Sequence, residues 1–502
     1  MREETKTAGL RRHIPEEALA EQRDYMEKIR RRFADREAHP LACVDTYGCQ
    51  QNVADGEKIQ GMLAVMGFSF TENAAEADLV ILNTCAVREH AEQRVFGNLG
   101  ALTHAKRDNP EQIVALCGCM AQEQRVRDRV RQSFRHVDLV FGPHALWKFP
   151  ELLWQAYHTR RQIFDSEDGA GTVAEGLPLR RDPGVRAWVS IMYGCDNFCT
   201  YCIVPYVRGR ERSRTPGRVL DEVRQLVAAG YKDITLLGQN VNSYGSDWRR
   251  NSGAAGGTEL DSVQSTRGGL SPYGRDFHFA DLLAEIDKIP GEFWVRFMSS
   301  HPKDAGKKLF DTMAGSRHVA KQLHLPFQSG SDRVLAAMNR RYTAEHYREL
   351  VRYARAVMPG LVLTSDVIIG FPGETEAEAM ETVKLVDEIG FDALFTFIYS
   401  PRPGTKAAEL PDPVPRAEKQ KWFDRLLEVQ NAGSAAIHAA YTGRTVRVLC
   451  DGADGEPDHP LTGRTEGNRL VRFTGDKSLM GQFADVKITG SNTWALYGEA
   501  AE

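Results

Sequence analysis

From Leu41 onward the chain alternates short apolar runs with stretches whose apolar residues recur at helical spacing. The runs "LACVDTYGCQQN", "ADLVILNTCAV", "QIVALCGCMAQ" and "DLVFGP" read as strands, with helices around Glu57–Met66 and His90–Thr103 and one after each of the last two runs. Apolar strands separated by helices imply a parallel sheet covered on both faces, here an α/β domain ending near residue 155. The alternation resumes in "AWVSIMY", "DITLLGQN", "FWVRFMSS", "QLHLPF", "VLTSDVIIGFP" and "ALFTFIYSP". Between these runs, Val219, Leu220, Val223, Leu226 and Val227 share one helix face, and Tyr347, Leu350, Val351 and Tyr353 mark another. Six such units predict a complete or partial βα barrel with its active site at the carboxyl ends of the strands, where Cys195, Gly238, Ser299 and Gly370 fall.

Beyond about Tyr441 the pattern changes to short alternating strands and glycine turns, as in "RTVRVLCDG" and "QFADVKITGSNTWALYGE", which predicts a small antiparallel β-barrel. The expected fold class is therefore α/β with this third domain appended. Its organisation reads as a polar extension over 1–38, an N-terminal domain over 39–155, a linker over 156–180, a central domain over 181–438 and a C-terminal domain over 439–502. The extension carries only a thin apolar stripe (Leu10, Ile14, Ala18, Leu19) and is expected to be partly helical and mobile. A Gly/Ser-rich insert at 246–275 has the composition of a flexible loop.

At 502 residues, 42% of them hydrophobic, the chain is long enough for two to four domains. A net charge of −4 gives no global field that would attract nucleic acid, so such binding would need local basic patches. The sequence holds no apolar run of about 18 residues and no signal-peptide core, so a cytosolic location without membrane contact is expected. Nine cysteines in such a chain argue for metal or thiol chemistry rather than a disulfide framework.

Three of them, Cys195, Cys199 and Cys202, stand in "MYGCDNFCTYCIVPYVRGRERSR". A tetrahedral zinc needs four ligands, and its fourth would have to come from elsewhere. A cubane iron–sulfur cluster held by three thiolates instead leaves one iron open to a substrate or cofactor. Polar or Gly-rich strand ends suited to such a cofactor are Gly238, Gln239 and Asn240; Ser299; Gln328 and Ser329; and Asp366 and Glu374. Cys49, Cys85 and Cys119 close three successive strands of the first domain, and neighbouring strands of a parallel sheet converge at their carboxyl edge. Cys43, Cys117 and Cys450 read as packing residues, with Cys117 an alternative to Cys119. Arg208, Arg210, Arg212 and Arg214 form a basic strip behind the triple-cysteine loop, while Arg444, Arg447, Arg464, Arg469 and Arg472 could serve in the last domain.

The motif with Tyr201 between the last two cysteines resembles that of the radical S-adenosylmethionine (SAM) superfamily. Together "TYGCQQN", "NTCAVREHAEQRVFGNLG", "GCMAQ", "GCDNFCTYCIVPYVRGRERSR" and "LLGQNVNSYG" are similar to its methylthiotransferase family, most closely to the tRNA branch that acts on dimethylallyladenosine, from about residue 40 to 500. Gln51 departs from that pattern, where Met is usual, with no chemistry evidently endangered. The resemblance implies a radical SAM partial barrel, a C-terminal TRAM domain that contacts tRNA, and two 4Fe-4S clusters, one on Cys195, Cys199 and Cys202 and an auxiliary one on Cys49, Cys85 and Cys119. One SAM would serve as methyl donor and another as radical source. The implied partners are a tRNA anticodon stem-loop, met by Arg208, Arg210, Arg212 and Arg214, and an electron donor such as flavodoxin or ferredoxin, with the enzyme a monomer and the sulfur donor unspecified. The rival readings are a methylthiotransferase for threonylcarbamoyl adenosine or a ribosomal-protein aspartate, and a non-catalytic metal-cluster protein that binds RNA.

Overall fold

The structure is a computed structural model describing residues 14–86, 89–159, 161–165, 173, 175–251, 276–453 and 456–501. The chain divides into two compact units, the first comprising 1–182, 192–196 and 203–214 and the second 183–191, 197–202 and 215–502.

The first unit holds β1 (Leu41–Tyr47), β2 (Ser69–Phe70), β3 (Leu79–Thr84), β4 (Ile113–Gly118), β5 (Leu139–Phe141) and β6 (Ile163–Asp165) in one sheet of order β2-β1-β3-β4-β5-β6. Every pairing in it is parallel. The central β3 and β4 are buried at every position, which is why they read as unbroken apolar runs rather than alternations. The sheet continues past the boundary expected near 155, because the short, half-buried β6 adds to its edge. Residues 1–13 of the expected extension lie outside the described residues, but Glu16–Arg32 is a helix, α1, with Leu19, Gln22, Met26 and Ile29 buried. Met26 and Ile29 join the same core as Ile59, Ile81 and Phe149, so this charged segment packs as a layer of the domain rather than hanging from it. A stripe of one apolar residue per turn suffices where the sheet face is already apolar.

The second unit contains all six expected barrel strands: β7 (Arg186–Ser190), then, after the short antiparallel pair β8 (Met192–Tyr193) and β9 (Arg212–Ser213) of the first unit, β10 (Asp233–Leu237), β11 (Trp294–Phe297), β12 (Gln322–His324), β13 (Val362–Ile369) and β14 (Ala393–Ile398). They form two parallel three-stranded sheets, β11-β10-β7 and β12-β13-β14, linked by an isolated bridge between Val295 and Val319, so the barrel is partial. Of the insert, Ser246–Asn251 is helical and 252–275 lies outside the described residues. After a long helix, Arg416–Ala439, strands β15 (Thr445–Gly452), β16 (Leu461–Thr465), β17 (Leu470–Thr474), β18 (Phe483–Ser491) and β19 (Ala495–Ala500) close a barrel of order β15-β16-β17-β19-β18. One pairing, β17 with β19, is parallel, whereas the sequence pattern predicts an antiparallel barrel. A closed ring with an odd number of strands cannot alternate direction throughout.

The β16–β17 turn docks on the amino ends of the parallel strands. Lys321 donates its backbone N–H to Glu466 Oε1 at 3.0 Å, and Arg296 of β11 donates to the Thr465 carbonyl at 3.0 Å while pairing with Asp233 at 2.9 Å. Arg469 pairs with Asp392, and both are buried. Burial holds the Asp392 carboxyl above its ordinary range even so, which marks a pair whose desolvation outweighs its attraction. Removing one partner should therefore hurt more than removing both. Arg469→Met is expected to lower stability in urea unfolding by about 3 kcal/mol, and adding Asp392→Asn should restore part of that loss.

Candidate active site

In the first unit Cys49, Cys85 and Cys119 each directly follow, or lie within two residues of, the carboxyl end of β1, β3 or β4. Cys49 is the residue before the helix Gln50–Val65, called α2. The strand ends approach so closely that a Cβ on Gly48 would lie 2.7 Å from both Asn52 Oδ1 and Cys85 Cβ. On Gly118, whose φ of +90° is already left-handed, a Cβ would lie 2.4 Å from the Thr84 carbonyl oxygen. Side-chain amides complete the lock: Asn52 donates to the Thr84 carbonyl at 3.1 Å and Asn83 donates to the Asn52 carbonyl at 2.7 Å.

The Cys49 thiol is drawn down to about 5 by its hydrogen bond with Cys85, then by Arg208 and the N–H groups opening α2, against burial. Arg208 donates from Nε to Cys119 Sγ at 3.0 Å and from Nη2 to Asp55 at 2.8 Å, so one buried guanidinium lies against Cys119 and also acts electrostatically on Cys49. Burial pushes the Cys119 thiol up and Arg208 pulls against it. Cys117 faces the apolar core, and its thiol is pushed far up by burial, consistent with packing. Among the described residues no group of three or more His, Cys, Asp or Glu side chains is arranged to hold a single metal ion. A small cleft adjoins Arg208, lined by Asp55, Lys58, His144, Trp147, Tyr193 and Arg212. His144 is held down to about 4 by burial and by Arg212 and Arg208, so it is neutral at pH 7.

The four arginines behind the triple-cysteine loop do not form an exposed strip. Arg208 is committed as above, Arg212 donates to the carbonyls of Arg208 and Arg210, and Arg214 pairs with Glu175 at 2.9 Å; all three are buried. Arg210 is exposed and pairs with Asp196 at 3.3 Å. Arginine's planar fork favours this use, because it satisfies several buried acceptors at once.

In the second unit the stretch Asn197–Cys202 is clamped by its neighbours. Thr200 donates its N–H to the Met338 carbonyl at 3.1 Å, Asn339 donates to the carbonyls of Asn197 and Phe198, and Lys303 donates to Asn197 Oδ1 at 2.7 Å. Arg340 lies 3.3 Å from Cys199 Sγ and also donates to the Pro326 carbonyl and the Tyr342 hydroxyl. Phe198, Ser299, Gln328, Asn339 and Arg341 all take left-handed φ between 48° and 69°, strain of a kind that collects at functional sites.

Asn240 Oδ1, Asn242 Nδ2, Ser300 Oγ and His301 Nε2, at the carboxyl ends of β10 and β11, are buried without a hydrogen-bond partner among the described residues. His301 is held well below its ordinary value by burial and by Arg340, Lys303 and Arg341, so its ring is neutral. Buried polar atoms are rarely left unpaired, and four together point to a polar ligand. Of the other candidates, Ser329 Oγ bonds Thr382 and the Ser331 N–H, the Gln328 backbone bridges β13, and Glu374 Oε1 is buried with no partner among the described residues. Glu374 accepts from the N–H groups of Gly370 and Phe371 and so braces that loop. Asp366 lies 3.5 Å from His324. Gly238 and Gln239 follow β10, and Ser299 follows β11. The sequence points to Ser299 and Ser300 of "SSHP" and to Asn240 of "LLGQN", but gives no signal for the neighbouring His301 and Asn242 or for Arg340 in "MNRRY".

The uncharacterized protein family UPF0004 matches residues 42–142, the radical SAM superfamily 189–386, and the TRAM domain 439–501. The tRNA-2-methylthio-N(6)-dimethylallyladenosine synthase of Acetivibrio thermocellus is 44% identical over 490 residues, covering 97% of each chain. This chain belongs to that synthase family. The synthase of Thermoanaerobacter sp. (strain X514) is likewise 44% identical, covering 98% of each chain. A solved radical SAM methyltransferase, TsrM from Kitasatospora setae with its tryptophan substrate and a SAM analogue, gives a TM-score of 0.46 at 15% identity over 74% of this chain and 75% of that one. Members of the synthase family are transferases, and their radical SAM domain implies a 4Fe-4S cluster and SAM. The chemistry of the residues present is compatible with both, since thiol side chains are the usual ligands of such a cluster and the four polar atoms comprise two donors (Asn242 Nδ2 and His301 Nε2–H), an acceptor (Asn240 Oδ1) and a hydroxyl (Ser300) that can be either. Among the described residues no helix is long and apolar enough to cross a membrane.

Two outcomes follow from this geometry. Gly118→Ala should lower stability by at least about 2 kcal/mol, from left-handed strain and the displaced Thr84 carbonyl. Gly97→Ala, on a helix where the new Cβ meets nothing within 4 Å, should raise it by about 0.5–1 kcal/mol in the same urea assay. Burial lifts the Glu374 carboxyl from its ordinary 4.5 to about 7, so the folded state holds a proton that the unfolded chain has released. Its stabilising effect is present below about pH 4.5 and is lost as pH rises through about 7, up to about 3 kcal/mol. Glu374→Gln should flatten that part of the pH profile when urea midpoints are compared at pH 5 and pH 8.

Proposed function

We propose that this chain transfers a methylthio group to C-2 of N(6)-dimethylallyladenosine beside the tRNA anticodon. The observation that carries the reading is 44% identity along almost the whole chain to synthases named for that product. Cys195, Cys199 and Cys202 would hold one 4Fe-4S cluster, and Cys49, Cys85 and Cys119 an auxiliary one. When bound, these groups supply a hydrogen-abstracting radical from SAM on one side and a sulfur carrier on the other.

The remaining work falls to the chain's own residues. Arg340 and Arg208, both buried, place fixed positive charge beside the sulfurs of Cys199 and Cys119 and so would favour ligation there. Asn240, Asn242, Ser300 and the neutral His301 would take the polar groups of SAM, each offering an atom that has no other partner among the described residues. The clamp on Asn197–Cys202 keeps that backbone in a single conformation, as orientation-dependent chemistry requires. The tRNA anticodon stem-loop is the partner, and a flavodoxin or ferredoxin would supply electrons; the enzyme acts as a cytoplasmic monomer.

The test is anaerobic reconstitution with iron and sulfide, then incubation with SAM, a reductant and an anticodon stem-loop carrying dimethylallyladenosine. Mass spectrometry of the nucleosides should show the methylthio product, and its absence would sink the reading. Cys195→Ala should lose at least about 100-fold in 5′-deoxyadenosine formation while retaining the iron bound at the auxiliary site. Loss of all iron in that variant would argue against two independent clusters.

A further inference from the structure

Strand β14 is the edge of its sheet, and its burial alternates so that Phe395 and Phe397 stand 53% and 50% exposed. The same unit buries Phe327, Phe371 and Phe391 to within 1% exposure, so two open phenylalanines on one strand are out of character. The register identifies their face: Phe395 lies beside Asp366 and Phe397 beside Ile368 of β13. The intervening Ser365, Val367 and Ile369 point the other way and are fully buried. His324 joins the open face, with Nδ1 3.0 Å from Thr364 Oγ1, Nε2 3.5 Å from Asp366 and its ring 5.8 Å from Phe395. Ile368 packs in a cluster with Met338, Phe371 and Tyr201, the residue between Cys199 and Cys202. The open face and the cysteine stretch therefore rest on one and the same buried cluster.

Residues two apart on a strand stand about 6–7 Å from each other, which suits one ring for a base plane and the next for a substituent. Aromatic rings stack on any base, an alkyl chain needs an apolar cover, and the half-buried Asp366 carboxylate, backed by the buried His324, offers an acceptor to a purine edge. A base bearing a carboxylate, such as threonylcarbamoyl adenosine, would bring its charge toward Asp366.

We propose that Phe395 and Phe397 are the platform that reads the alkylated purine, one ring stacking on the base and the other covering the dimethylallyl chain. This rests on the function proposed above. The test compares binding of the full-length reconstituted protein to two fluorescent anticodon stem-loops, one with dimethylallyladenosine and one with adenosine. The wild type should favour the alkylated RNA, and Phe395→Ala and Phe397→Ala should each weaken it about tenfold while changing the adenosine RNA far less. Phe395→Tyr and Phe397→Tyr, which keep the ring, should retain the preference. Alanine variants that keep the wild-type ratio overturn the proposal, as does an equal loss for both RNAs, which would put the rings against the backbone rather than the base. Product formation with an unchanged ratio in the variants would leave the function standing and remove the platform. A ratio lost as expected, with no methylthio product from wild type, would do the reverse.

Discussion

Three parallel strands can bring side chains from their carboxyl ends together only where the backbones themselves come almost into contact. Here that contact is made by Gly48 and Gly118, at positions where a single added carbon would overlap a neighbouring carbonyl, amide or thiol-bearing carbon. The residues that follow them, Cys49 and Cys119, are placed by that approach together with Cys85. Arg208 then has somewhere to go, since its guanidinium reaches both Cys119 and Asp55. A bulkier residue at either glycine would part the strand ends before any question of thiol chemistry arose.

Buried cations recur as the device that holds this protein's irregular regions. Arg208 and Arg340 stand beside cysteines, Arg296 ties the partial barrel to the β16–β17 turn, and Arg469 meets Asp392. Each gathers backbone carbonyls, a carboxylate or a thiol that would otherwise be costly to bury, and the guanidinium is suited to this because its donors lie in one plane and its charge is never lost. The consequence is that arginine-rich motifs in this chain indicate interior scaffolding as readily as a surface for RNA. In the C-terminal barrel the pairs of Arg447 with Glu292 and Arg472 with Glu456 lie instead at the surface.

The partial barrel shows the complementary feature, polar atoms without a partner among the described residues and apolar rings left half exposed. Unpaired atoms on Asn240, Asn242, Ser300 and His301, left-handed backbone at Ser299 and Gln328, and two open phenylalanines on β14 lie at the carboxyl ends or on the open face of its strands. Each is unfavourable in isolation, so the stability of the outward faces and of the helices upon them must carry these sites.

The sequence alone determined the alternation of elements, the class of each domain and the strand-end placement of Cys49, Cys85, Cys119 and Cys195, because these depend on periodicity and on residues adjacent in the chain. It also carried the family, through motifs spread from Cys49 to Gly245. Tertiary structure decided what depends on which side chain is nearest in space. It packed Glu16–Arg32 into the core, extended the first sheet to β6, made the C-terminal barrel close through one parallel pairing, and turned Arg208, Arg212 and Arg214 inward. A run of arginines looks the same whether it faces phosphate or a buried carboxylate, and only the partner brought up by a distant segment, Asp55 for Arg208 or Glu175 for Arg214, distinguishes the two.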